Sequence, residues 1–305
     1  MTMEYLVLRS LQSLLLIFLA TLVVFLLLHI TPGDPATLIL GDQATPEQVA
    51  DLRRSMGLDR PLHEQYGRFL ANAMCGDFGL SIRAQRPALM YVMERLPATL
   101  QLSAGAFAFA VLTGIPIGIL SAVKRLSLWD HGAMFVALLG QSMPVYWLGL
   151  MLIVIFAVHL RWLPASGMGQ LQHLILPAFT LGMFLIGLII RLMRSSMLDV
   201  LSRDYIRTAH AKGLSQHIVL VRHALKNACI PVVTVLGLQM GTLLGGAVIT
   251  ETVFAWPGMG MVTVTAIHQR DYPVVQSAVL VLAVLVVLIN WCVDMVYHYL
   301  DPRIR

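Results

Sequence analysis

Charge is what this 305-residue chain has least of: only 12% of its residues are Asp, Glu, Lys or Arg, while 58% are hydrophobic. Soluble domains carry about twice that share of charge, so a water-soluble globular fold is excluded. Cysteine is also sparse. Cys75, Cys229 and Cys292 are odd in number and far apart, a pattern that supports neither a disulfide framework nor a metal site. Catalytic signatures are missing as well. The chain has no GxxxxGK[ST] loop to cradle phosphates, so it does not hydrolyse nucleotide itself. It has no GxSxG elbow and no HExxH, since His63-Glu64 is followed by Gly67 where a second histidine would stand. Any work needed to move a solute uphill must come from another subunit.

What is present comes in long apolar runs. Leu11–His29, Leu100–Val123, Met134–Val158, Leu174–Ile190, Ile230–Thr250 and Val275–Val293 are free of charged side chains and long enough to cross a bilayer as helices. The fold class expected is an all-α polytopic membrane protein with six transmembrane helices. No ionisable group lies deep in a span, which argues against a proton- or ion-coupled carrier. The first run lacks a cleavage site and is expected to stay as an anchor.

Loop charge orients the spans. Residues 191–230 hold seven basic side chains against Asp199 and Asp204, and Lys124 and Arg125 mark a second basic loop. On the opposite side the short loops 161–173 and 251–273 hold only Arg161 and Arg270 as basic residues. The seven arginines of the long loop 31–97 are offset by eight acids, in a stretch too long for the positive-inside rule to count. The basic loops and both termini are therefore expected in the cytoplasm, and the long loop Thr31–Pro97 outside. This divides the chain into an N-terminal transmembrane helix (1–30), a small extracytoplasmic subdomain (31–98) and a core of five transmembrane helices (99–305). The subdomain reads as folded. Thr45-Pro46-Glu47-Gln48 is a capping box with proline at the first helical position, and Gly57 closes that helix. Pro61–Met74 reads as a second helix with Leu62, Tyr66, Phe69 and Leu70 on one face, and Pro87–Leu96 as a third.

The most informative stretch is 204–231, too polar for lipid yet set between two spans. Asp204 suits the N-cap of a helix over Tyr205–Lys212, and Gly213 suits the left-handed residue that ends it. Ser215 is expected to cap a second helix to about Ala228, with Pro231 in the first turn of the next. A capped helix–Gly–helix on a basic face offers a docking surface to a soluble protein.

Span five carries Gly237, Gly241 and Gly245 at intervals of four, a strip open to close helix contact. Beside it Gln239, Thr242 and Gly246 form a polar strip. An amide in hydrocarbon is costly unless paired or wetted, so the pathway is expected along this helix through Gln239, Gly241, Thr242 and Gly246, with Glu251 at the outer mouth. Gly114-Ile-Pro116-Ile-Gly118 in span two and Pro144 in span three are candidate kinks.

Residues 205–231 resemble the cytoplasmic EAA loop of ABC-importer permeases of the dipeptide/oligopeptide/nickel branch. Arg207-Thr208-Ala209 stands for E-A-A and Gly213 for the glycine that follows. His223-Ala224-Leu225-Lys226 replaces I-x-L-P and keeps only its leucine. The stretches PGDP (32–35), MGLDRPL (56–62), GDFGLS (76–81), LPATLQL (96–102), ETVFAWPGMG (251–260), RDYPVVQ (270–276) and the terminal DPRIR are similar to that family too. The resemblance implies the type I ABC importer permease fold in a bacterial inner membrane. It implies a heterodimer with a homologous second permease, two cytoplasmic ATPase subunits and an extracytoplasmic solute-binding protein, with no nucleic acid. It places ATP and Mg on the partner subunits, with no cofactor bound by this chain and no catalytic residue in it. It also implies that the helix before Gly213 docks on an ATPase through Tyr205, Arg207, Thr208, Ala209, Ala211, Lys212, Gly213 and Leu214. Peptides are the expected solute, with glutathione or nickel as alternatives. A self-sufficient carrier or channel would need a charged pore lining, which these spans lack.

Overall fold

The computed structural model describes residues 3–30, 35–40 and 44–300. Most of the PGDP stretch (32–34) and the DPRIR tail (301–305) lie outside the described residues. In chain order the helices are α1 (Met3–Ile30), α2 (Pro35–Leu40), α3 (Pro46–Met56), α4 (Leu62–Met74), α5 (Ala88–Met93), α6 (Leu96–Val123) and α7 (Leu128–Ser142). They continue as α8 (Val145–Leu152), α9 (Leu171–Leu201), α10 (Asp204–Ala211), α11 (Gln216–Ile218), α12 (Leu225–Val253), α13 (Met259–Gln269) and α14 (Tyr272–Leu300). Wide π-turns follow α8 (Ile153–His159) and α11 (Val219–Ala224). Five stretches are long and apolar enough to span a bilayer singly, and a sixth span results if α7 and the α8 segment are counted as one.

That sixth span is not the continuous helix expected over Met134–Val158. It bends by 112° between Ser142 and Val145. Met143, directly before Pro144, takes the extended conformation (φ −81°, ψ 130°) that a following proline ring favours. The other candidate kink behaves differently, because Pro116 lies inside an α6 that runs on to Val123.

The chain clusters into two compact units, Met1–Thr99 with Pro257–Cys292, and Leu100–Trp256 with Val293–Arg305. In the first, the capping box at Thr45 forms with both its hydrogen bonds, and Gly57 closes α3 at φ 69°. The apolar face of α4 packs on α1. The Tyr66 ring lies 5.3 Å from Phe25 and 6.0 Å from Phe18, and its hydroxyl sits 2.9 Å from Thr21 Oγ1. Leu62, expected on that face, stays exposed. The third expected helix is shorter, since α5 covers only Ala88–Met93 and Leu96 already opens α6. Residues 251–273, read as a plain loop, contain α13. Its Met259, Val262 and Ala266 join Ala88, Val92, Val274 and Ala278 in one buried core.

The second unit is built around α9, whose spanning window is 67% buried against 28–33% for the windows of α6, α12 and α14. Small residues permit that. A Cβ on Gly187 would lie 2.5 Å from Ala137 O, and one on Gly140 2.6 Å from Met183 O, so α7 and α9 meet backbone to backbone. Cβ atoms on Gly114 and Gly118 would fall 2.8 and 2.7 Å from the Cβ atoms of Ile189 and Met193. The glycines beside Pro116 are thus packing sites for α9, the use membrane helices make of small residues.

Candidate functional site

Three residues beyond the end of α9 the chain starts α10, the short basic helix. Arg203 rather than Asp204 occupies the N-cap, without a side-chain cap bond, and Asp204 sits in the first turn. Its carboxylate is 3.7 Å from Arg207 with both side chains in solvent, a pair of little energetic weight. Ile206 and Ala209 face inward, 2% and 6% exposed, and α10 packs on the π-turn where Val219 and Ala224 are fully buried. Asn227 Nδ2 donates to the Tyr205 hydroxyl at 2.9 Å, tying the helix to α12. Tyr205, Arg207, Thr208, Ala211 and Lys212 remain exposed.

Ala209 therefore does not belong to the outward surface that sequence reasoning placed it on; it anchors α10 to its own chain. Leu214 is half-buried, its N–H donating to Ala209 O at 3.4 Å. Gly213 has φ +78° and its N–H donates to His210 O at 2.9 Å. No atom lies within 4 Å of where its Cβ would be, so glycine is needed for the backbone angle and not for space.

The second helix of the elbow departs from expectation. Ser215 holds the N-cap position without a side-chain bond, and no break occurs near Ala228. After the π-turn the chain enters α12 at Leu225 and continues to Val253 with Pro231 inside the helix. From Gln216 the second half of the elbow and span five form one continuous stretch to Val253, which the turn at Lys212–Ser215 joins to α10.

The polar strip opens onto a cleft of about 350 Å³ lined by Val145, Leu181, Phe184, Leu185, Gln239, Thr242, Leu243 and Gly246. Thr242 Oγ1 lies 2.6 Å from Gln239 Oε1 and 2.7 Å from Gln239 O, which holds the amide against its own helix. Gly246 admits Leu181 of α9, whose Cδ1 would stand 3.2 Å from an added Cβ. Gly241 is buried and lines nothing in the cleft. Gly245, on the expected smooth strip, meets open space.

Glu251 is not at an open mouth. It is fully buried in the last turn of α12, where its carbonyl accepts from Trp256 N at 2.8 Å. The turn through Ala255 (φ 46°) folds the chain back at this point, and Phe254 and Trp256 are each only 1% exposed. Hydropathy placed Glu251 at a span end but could not foresee this burial.

One group at the α6–α7 junction escaped sequence reasoning. Asp130, 3% exposed, takes a forked pair of bonds from Arg194, Nε to Oδ1 at 2.6 Å and Nη2 to Oδ2 at 2.8 Å. It also accepts from the Ser121 hydroxyl at 2.5 Å and from Leu126 N at 2.9 Å. Such bidentate contacts fix orientation as well as distance. The available signal was Ser127 three residues before Asp130, a helix start. Ser127 does cap α7.

The family description "binding-protein-dependent transport system inner membrane component" matches residues 114–305, and its N-terminal counterpart matches residues 2–103. The chain is 46% identical to the dipeptide transport system permease protein DppB of Alkalihalophilus pseudofirmus, across 93% of this chain and 94% of that one. It is 43% identical to the DppB of Escherichia coli K12 over the same shares. It is also 43% identical to the glutathione transport system permease protein GsiC of that strain, over 99% of both chains. Among solved structures, a chain of the inward-facing MetNI methionine ABC transporter superposes with a TM-score of 0.59 at 19% identity, covering 70% of this chain and 97% of that one. At that identity the likeness concerns the fold alone.

Proposed function

Because the chain belongs to the inner-membrane component family of binding-protein-dependent transport systems, we propose that it forms half of the membrane channel of an ATP-driven importer for di- and oligopeptides. The near full-length identity to dipeptide permeases carries this reading. Glutathione, itself a tripeptide, is the second reading, favoured by the 99% coverage of the glutathione permease. A homologous permease completes the membrane part. Two cytoplasmic ATPase subunits bind the ATP and Mg, and an extracytoplasmic binding protein delivers the solute. The termini and α10 lie on the cytoplasmic side in this reading, which the excess of Lys and Arg in the short loops supports.

In this reading α10 docks on an ATPase through Tyr205, Arg207, Thr208, Ala211 and Lys212, with Ile206 and Ala209 transmitting its movement inward. Closure of the ATPase pair draws the two docking helices together and favours the outward-open state. Moving a two-state equilibrium from 1:99 to 99:1 takes about 5.5 kcal/mol of differential binding, so the lever must be stiff. The solute passes the cleft at Gln239 and Thr242.

Tagged permease should bring down ATPase subunits from the membrane, and its absence from any ATPase complex would sink the reading. Reconstituted with its partners, the importer should accumulate labelled dipeptide. Gly213→Pro removes the N–H bonded to His210 and forbids φ +78°. Uptake should fall to background while ATP hydrolysis persists. Lys212→Ala, which leaves the backbone intact, should weaken both ATPase retention and uptake. Normal uptake by both variants would remove α10 from the coupling path.

A further inference from the structure

The turn between α6 and α7 and the first residues of α7, positions 124–129, display exposed apolar side chains. Leu126, Leu128 and Trp129 are 75%, 90% and 63% exposed, although Ala122 and Asp130 on either side are buried. Lys124 and Arg125 are exposed beside them, and Lys124 Nζ stands 5.5 Å from the centre of the Trp129 ring.

The turn is built, not slack. Leu126 takes φ +61°, a left-handed conformation strained for a residue with a bulky side chain. Its N–H is held by Asp130 Oδ2, the same carboxylate that Arg194 and Ser121 grip. Ser127 closes the turn by donating from Oγ to Lys124 O at 2.5 Å and accepting from Asp130 N at 3.4 Å. A strained residue is kept only where its surroundings enforce it, and here the strain delivers a leucine outward instead of into the core. Two turns further along α7, beyond the exposed His131 and Gly132, Phe135 and Leu138 are again exposed at 61% and 59%.

Two cations, a tryptophan and two leucines at the end of membrane helices match the layered chemistry of a bilayer surface. Tryptophan prefers the headgroup level, leucine the acyl boundary, and Lys and Arg the phosphates. The patch lies where one spanning helix ends at Val123 and the next begins at Leu128, and its two cations complement an anionic headgroup, which suits lipid better than a soluble partner. We propose that residues 124–129 form an interfacial anchor that binds anionic phospholipid. Lys124 and Arg125 engage the headgroup phosphate, and Leu126, Leu128 and Trp129 sit at the acyl boundary.

The test uses the assembled importer in vesicles of phosphatidylcholine, with and without phosphatidylglycerol. Acyl-brominated phosphatidylcholine should quench the part of the fluorescence lost in Trp129→Phe. Co-purified phosphatidylglycerol should fall about five-fold in Lys124→Gln or Arg125→Gln and about thirty-fold in the double variant at low salt. Leu126→Gly relieves the strained angle, so thermal stability should hold or rise while lipid retention falls. An unquenched Trp129 would overturn the proposal. So would loss of ATPase subunits from the double variant with lipid retention unchanged, which would make the patch a protein contact.

Discussion

Among the described residues each compact unit has one buried aspartate, and the two are satisfied in different ways. Asp130 in the second unit faces the Arg194 guanidinium, with Ser121 and Leu126 N completing the set. Asp271 in the first unit, 2% exposed, accepts from the Ser81 hydroxyl at 2.5 Å and from Ile82 N and Arg83 N at 3.2 Å each. No cation pairs with Asp271 among the described salt bridges. One joint depends on a counter-charge carried by a distant helix, the other on the shape of a single turn that points its N–H groups at the carboxylate. A charge pair fails abruptly when half of it is removed, whereas a ring of neutral donors can lose one member and keep the rest.

The largest expected effect is therefore at Arg194. Arg194→Met leaves Asp130 buried without its counter-charge and should cost about 3 kcal/mol, the low end for such pairs because the arginine is partly exposed. Adding Asp130→Leu should recover most of that loss. Unfolding of the detergent-solubilised protein measures both, and a double variant no better than the single would show that geometry, not charge, holds the joint. Asp271→Ala should cost about 2 kcal/mol, by stranding the Ser81 hydroxyl and two N–H groups. Ser81→Ala removes one donor only and should cost about 1.5 kcal/mol. If Ser81→Ala matched Arg194→Met, the distinction between the two joints would collapse.

Local chemistry was legible in the sequence. The capping box at Thr45, the left-handed glycines at positions 57 and 213 and five of the six apolar runs stand as they were read. Each depends on residues within a turn or two of one another. Proline shows where that reach stops. Pro144 breaks its span, while Pro116, Pro177 and Pro231 ride inside helices. A missing N–H weakens any helix, but neighbouring helices decide whether it bends. The candidate site divides in the same way. The helix before Gly213 and the Gln239–Thr242 pair were readable from spacing, whereas the inward turn of Ala209 and the burial of Glu251 were not.

The sequence by itself determined that this is a helical membrane protein, because hydropathy is an additive property of the chain. Only the tertiary structure decided which residues face outward, where the third span folds back, and that Asp130 meets Arg194, 64 positions away. Those outcomes follow from how glycine-lined helices pack around α9, and close packing is a property of pairs of surfaces that no single segment encodes.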